Sequence, residues 1–366
     1  MTMKKLLFEN LKSGRRYSMN ITLRRLAGVF VVSCLMFATA FAGNTNRTGT
    51  AGAQELLIPV GASGIALGGS NVALASGLDA LYWNPAGLSR STFGSSALFS
   101  HMSYLAGIGV DYGAVGVNFK GAGSFAVSFK SISFGNIPVT TEDNPDGTGA
   151  TYSPTYVVAG LTYSSLLSDR ISVGANFNLI SESIMSTSAT GFALDAGVQY
   201  RGLIVPELSL GVDIKNLGPN MTYAGSNLLR QGTTVGDIRG IQWYSVDAAS
   251  FELPSQMEVA LAYNKKFGSM NDITLSGDFE NNNYSSDLYK FGLQYAFNNM
   301  LFLRAGYNYA PNSPKDPTGA SSQIFDYTLG AGINYNLGAF NLTFDYAYQH
   351  VKYFSAINTF TVALGF

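Results

Sequence analysis

The sequence predicts an all-β protein: a transmembrane antiparallel β-barrel of about 14 strands with a short N-terminal helical plug in the lumen. Three observations predict it. Charged residues make up only 12% of the 366-residue chain while Tyr and Phe number 21 and 24, too apolar a balance for an ordinary solvated surface. The only long unbroken apolar run lies near the N-terminus, so no internal helix of ~20 apolar residues is available to cross a bilayer. Elsewhere the apolar residues recur at period two, the spacing that sends neighbours to opposite faces of a sheet.

Residues 1–42 read as a signal peptide. Leu26–Ala42, "LAGVFVVSCLMFATAFA", follows Arg24 and Arg25 and ends in the small-residue site Ala40-Phe41-Ala42. The basic flank is long, which makes Met19 a second candidate start. The single cysteine, Cys34, lies inside this apolar run. The residues after it stay apolar, against a lipoprotein cleavage site. Cleavage near Ala42 leaves a chain with no cysteine and no thiol chemistry. It also removes seven basic residues and one acidic residue, leaving 15 against 22 and a net charge of −7. No basic patch remains, which excludes nucleic acid as a partner.

Residues 43–92 form the N-terminal plug segment, and 56–92 do not alternate. Small side chains dominate "LLIPVGASGIALGGSNVALASGLDALYWNPAGLSRS", which lets this backbone lie close against a barrel wall. Asn84 caps a helix start, with Pro85 at the first helical position, where a missing N–H costs nothing. The segment is read as the plug, with Asn84, Pro85 and Ala86 as its motif.

Residues 93–366 carry the barrel. Fourteen runs are expected, near 93–101, 109–119, 123–132, 155–165, 171–184, 189–201, 206–217, 253–265, 271–280, 286–298, 300–309, 324–336, 339–350 and 355–366. In the fifth, Ile171, Val173, Ala175, Phe177 and Leu179 oppose Ser172, Gly174, Asn176 and Asn178. A soluble sandwich also alternates. Here, however, the apolar face is large and aromatic, while the other is small and polar with charges in mid-strand, as in a membrane barrel. Connections after even-numbered strands are short. Those after odd-numbered strands include 133–154, 218–252 and 310–323, long and rich in Gly, Pro, Asn and Asp. Short turns on one side and long loops on the other suit an outer-membrane barrel.

By alternation Asp195, Asp213, Glu258, Asp278, Asp326 and Asp345 face the lumen, with Lys130, Lys215, Lys290 and Arg304. Both signs suit either a water-filled channel or an interior where ions pair with one another and with the plug; a charge at membrane depth needs a partner or water. The last strand ends the chain on "NTFTVALGF", with Phe360, Val362, Leu364 and Phe366 on one face. It must pair with the first strand so that no edge is left in lipid.

Catalysis finds no support. His101 and His350 are the only histidines, and no G-x-S-x-G elbow occurs. They set no metal-ligand spacing. "GASGIALGG" lacks the Lys of a phosphate loop. "EDNPDG", Glu142 to Gly147, reads as a solvated turn. No enzyme, metal or cofactor is expected.

Pro59 to Leu88, "PVGASGIALGGSNVALASGLDALYWNPAGL", resembles the opening motif of the PorV/PorQ family, part of the wider group of FadL-type barrels that share the Asn84-Pro85-Ala86 plug motif. Leu210 to Tyr223, "LGVDIKNLGPNMTY", is similar to that family's mid-chain segment. The resemblance implies a fourteen-stranded outer-membrane barrel with an N-terminal plug. The terminal Phe366, on one face with Phe360, Val362 and Leu364, also resembles the signal that outer-membrane barrels present to the barrel assembly machinery. The family resemblance implies two roles: binding secreted or cell-surface proteins in type IX secretion or, as the alternative, FadL-like transport of a hydrophobic small molecule. The second requires an apolar pocket and a wall opening, expected beside Gly-rich strands such as 109–119.

Overall fold

The computed structural model describes residues 47–119, 121–233, 240–315, 321–338 and 340–366. The expected signal peptide lies outside the described residues. Fourteen long strands form the barrel: β1 Ser95–Ser103, β2 Gly109–Phe119, β3 Gly123–Ser133, β4 Thr155–Leu166, β5 Ile171–Ile184, β6 Thr187–Arg201, β7 Leu208–Leu217, β8 Gln256–Phe267, β9 Asn271–Asn282, β10 Leu288–Phe297, β11 Leu301–Tyr309, β12 Phe325–Asn336, β13 Asn341–Val351 and β14 Ile357–Gly365. Each pairs antiparallel with its sequence neighbours. The first and last strands close the ring, from Ser96 opposite Gly365 to Ser103 opposite Asn358. Phe366 completes the seam, its N–H donating to the Ser95 carbonyl at 2.9 Å. Every edge is thereby satisfied, the condition for a sheet to sit in hydrocarbon.

The wall is inside out relative to a soluble protein. On β3, Phe129 is 52% exposed while its neighbour Lys130 is 5% exposed. Phe125, Val127, Leu161, Leu179, Leu303, Ile333 and Phe344 likewise project outward. This apolar exterior is a lipid-facing surface.

Two pairings are irregular. Between β6 and β7 the register shifts at Leu194/Ala196, and between β12 and β13 at Phe325/Thr328. The wall beside β2 is unbroken: Gly109 to Val117 pair with β1, and Gly109 to Phe119 with β3. The opening expected there is therefore absent, because each Gly of β2 keeps its ladder partner.

Residues 47–92 thread the lumen lengthwise. At the long-loop end Arg47 bonds Glu252 at 2.7 Å, and Ala51 bridges to Glu252. Two short helices follow, α1 Ala62–Ala66 and α2 Ala80–Trp83, then a 3-10 segment Pro85–Arg90. At the short-turn end Arg90 donates to Ser172 Oγ and the Arg170 carbonyl, both at 2.8 Å. Val60, Leu78, Leu81 and Leu88 of the plug bury against Leu98, Tyr112, Ala114 and Ala126 of β1–β3. The inner wall there is apolar because the plug, and not water, covers it.

Candidate functional site

The plug is held by backbone contact where the wall has no side chains. Gly174, Gly197 and Gly211 face inward on β5, β6 and β7. A Cβ on Gly174 would strike the Pro85 carbonyl, one on Gly197 the Asn84 side chain, and one on Gly211 the Val72 carbonyl. A second inward tract, Gly292, Gly306 and Gly330 on β10–β12, receives Ala66, Leu67 and Gly68 in the same way. Glycine serves here through the missing Cβ, which permits close backbone approach.

Asn84 is fully buried and bonds on both sides of its amide. Its Oδ1 accepts from the Ala86 N–H at 3.1 Å, capping the Pro85–Arg90 segment. Its Nδ2 donates to the carbonyls of Val72 at 3.0 Å and of Val198 and Val212 at 3.2 and 3.4 Å. One side chain thus ties two plug segments to the β6–β7 pair. Gln199 adds bonds to the carbonyls of Val72 and Ala75 at 3.0 and 2.9 Å.

The charged interior is paired. Glu258 accepts from Lys215 and from Lys290, each at 2.8 Å. Lys215 also lies 3.4 Å from Asp213, and Lys290 bonds Glu280. Arg304 bonds Asp345 at 2.5 Å and Gln294 at 2.7 Å. Asp195 accepts from Asn176, Asn178 and the Asn216 N–H, the last at 2.8 Å within the β6–β7 irregularity. Asp278 accepts from Ser70 Oγ at 2.8 Å and the Val72 N–H at 3.3 Å, so it holds the plug directly. Lys130 donates to the Ile58 carbonyl and lies over the Tyr82 ring.

Asp326 departs from the alternation. The β12 irregularity gives β13 one residue fewer to oppose, and Asp326 turns out of the lumen to bond His350 Nδ1 at 2.7 Å. His350 stacks on Tyr327 at the outer rim. His101 pairs similarly with Asp111 at 2.7 Å. Among the described residues neither histidine bonds a serine, and no group of three or more His, Cys, Asp or Glu is placed to hold a metal ion.

Between the plug and the long-loop end of the wall lies a cavity of about 500 Å³. Its sides are apolar and aromatic: Ile58, Tyr104, Ile132, Phe134, Tyr156 and Phe325. Tyr82 and Trp83 of α2 and the Lys215–Glu258–Lys290 cluster form its floor. Pockets of this size, mostly apolar with a few polar groups, suit small ligands.

Glu55 belongs to the same wall. It is 2% exposed, and neither carboxylate oxygen meets a hydrogen-bond donor. Burial, then the nearby Glu182 carboxylate, pushes its carboxyl up to about 8. Glu182 itself bonds the Tyr223 hydroxyl, from the long loop after β7. Burial likewise raises Asp79 to about 6, although Ser63 donates to it at 2.6 Å.

The sequence reading missed Glu182 and Glu280, both on the inward register that carries Asn178 and Asp278; the same alternation names them. Glu55 carries no such signal, because the plug has no period.

A closed fourteen-stranded barrel with a lumenal plug and an apolar cavity beneath its long loops defines a plugged transmembrane barrel. No protein-family model matches the chain, and no curated protein matches it. Solved structures share the fold. The TodX deltaS2S3 mutant monoaromatic hydrocarbon channel aligns with TM-score 0.53 at 13% identity, covering 83% of this chain and 97% of that one. The CymD monoaromatic hydrocarbon channel aligns with TM-score 0.52 at 14% identity, over 85% and 98%. A Pseudomonas aeruginosa FadL homologue aligns with TM-score 0.51 at 13% identity, over 84% and 98%. Identities this low speak for a common architecture.

Proposed function

We propose that this protein is an outer-membrane channel that admits hydrophobic small molecules, the alternative of the two roles implied by its plug motif. The cavity under the long loops carries the reading: its sides are apolar and aromatic, above a floor of paired ions. Solved barrels of the same architecture are named as monoaromatic hydrocarbon channels. In this reading outer-membrane lipid surrounds the exterior, a signal peptide ending near Ala42 exports the chain, and Phe360, Val362, Leu364 and Phe366 are read by the assembly machinery. The Asn84-Pro85-Ala86 motif and the lumenal charges keep the plug seated. The test is uptake of a fatty acid and of toluene by a deletion strain and its complemented parent. Loss restored by the gene supports the channel; equal uptake of both compounds removes it.

A second reading, binding of a secreted or cell-surface protein, is favoured by one observation. The loop after β7 forms a hairpin, Leu229–Gly232 with Gln242–Ser245, that exposes Ile241, Trp243 and Val246. Large exposed apolar residues on a loop suit a protein interface. Trimming residues 226–248 should leave the barrel assembled. Loss of a co-purifying surface protein, with uptake retained, would favour this role over transport.

A further inference from the structure

A second cavity, of about 530 Å³, lies at the short-turn end. Ala73 and Leu74 of the plug line one side, and Arg201, Glu207, Lys265 and Lys266 stand around the rest. Three cations thus meet one carboxylate, in a chain whose residues 43–366 carry 15 basic against 22 acidic residues. Glu207 is engaged by Lys265 at 3.5 Å. Asp272 stands opposite Lys266 in the β8–β9 pairing but accepts from Asn264 Nδ2 at 2.6 Å. Among the described residues neither the Arg201 guanidinium nor the Lys266 ammonium bonds an acceptor.

A further guanidinium is fixed beside Arg201. The Arg170 carbonyl accepts from Arg90 Nη2 at 2.8 Å and from the Arg201 N–H at 2.9 Å. Arg90 meets no carboxylate either, since its other partners are Ser172 Oγ and the Gln199 carbonyl. Burial, then the nearby Arg201 charge, pushes the Arg90 guanidinium down to about 10. Like charges held together with no acid between them are relieved by an anion.

We infer that this cavity binds a phosphate group borne on an organic residue, gripped between Arg201 and Lys266. The planar guanidinium offers paired donors that fit phosphate oxygens, and the ammonium adds a point charge. The cavity is far larger than a bare phosphate, which leaves room for the organic part. Two sources carry that chemistry. One is a phospholipid headgroup at the rim, where Val205, Phe267 and Met270 on the same turns expose apolar side chains. The other is a soluble phosphate ester. The site stands whether or not the barrel carries hydrocarbons.

The experiment holds the purified full barrel in a non-ionic maltoside free of phosphate. Native mass spectrometry compares dioleoylphosphatidylglycerol with neutral dioleoylglycerol, and calorimetry compares glycerol 3-phosphate with glycerol. At least one phosphate is expected to bind about tenfold or more tightly than its neutral counterpart, the scale of one charge-assisted bond. Arg201→Gln and Lys266→Gln should each weaken it about tenfold, and Arg201→Lys by less. Arg230→Gln, at the long-loop end, should change nothing. Heat-modifiable mobility checks that each variant is folded, and Arg201→Lys keeps the test open should Arg201→Gln fail to assemble. Binding of the phospholipid alone assigns the lipid source; binding of glycerol 3-phosphate alone assigns the soluble one; binding of both, each displacing the other, assigns one site open to either. If neither phosphate binds more tightly than its neutral counterpart, or if the Arg201 and Lys266 variants leave binding within about twofold, the site is refuted.

Discussion

Gly211→Ala should unseat the plug without opening the barrel. Gly211 faces inward on β7, and a Cβ there would lie 2.6 Å from the Val72 carbonyl oxygen and 2.7 Å from the Ala73 N and Cα. All three are backbone atoms, so no side chain can swing aside. Carbon contacts settle near about 3.5 Å, so Val72–Ala73 must retreat by roughly 0.8 Å. That retreat strains the bonds from Asn84 and Gln199 to the Val72 carbonyl, both 3.0 Å long. Overpacking costs about 1–3 kcal/mol and each of the two weakened bonds up to about 1 kcal/mol, so about 1–5 kcal/mol in all. The plug should open about 5- to 5,000-fold more often. The assay is hydrogen exchange at the Leu74 and Ala75 amides, both bonded to the Asn71 carbonyl in the native plug. Heat-modifiable gel mobility serves as the check on the barrel. Gly113→Ala is the matched control: Gly113 has nothing within 4 Å of where a Cβ would sit. Unchanged exchange in Gly211→Ala, or equal disruption by Gly113→Ala, would refute the idea that inward glycines seat the plug.

Three further outcomes are expected. Glu258→Ala should lower unfolding stability in urea by about 3 kcal/mol, the low end for a broken buried ion pair, because Lys215 keeps Asp213 and Lys290 keeps Glu280; a loss no larger than that of an exposed Glu→Ala control would count against a paired interior. Asn84→Ala should cost about 2–4 kcal/mol by orphaning buried partners, read as faster exchange at Ala86 and Ala75; wild-type exchange at both would deny Asn84 its tie to the wall. Glu55 has its carboxyl raised from 4.5 to about 8, so the seated plug holds the proton more tightly than the unseated one. Its contribution is then fully present below about pH 4.5 and is lost as pH rises through about 8. Protection of residues 54–58, corrected for intrinsic exchange, should fall from pH 5 to pH 8.5, and Glu55→Gln should flatten that slope; a slope unchanged by the substitution would assign it elsewhere.

Much of the barrel was legible in the sequence. All fourteen strands lie where the period-two runs stand, with ends differing by at most three residues, as at β8. Each strand's alternation is a local property: successive side chains point to opposite faces whatever the rest of the chain does. It places Lys215 and Glu258 on one face each. It fails at Asp326, where an extra residue in β12 breaks the count, since a bulge depends on the partner strand as well as on its own residues.

The sequence by itself determined the strands, their inward and outward faces, the closure of the last upon the first, and a plug of small residues. Tertiary structure alone decided the rest. Gly174, Gly197 and Gly211 form a tract only because the registers of β5, β6 and β7 set Gly174 opposite Gly197 and Gly211 one inward position along from Asp213, the partner of Gly197. Glu55 meets Glu182, and Tyr104 meets Tyr156 across a cavity, only because the plug runs from the long-loop end downward. Those neighbours are set by strand pairing and by the plug's path through the lumen. Neither is written in any short window of residues.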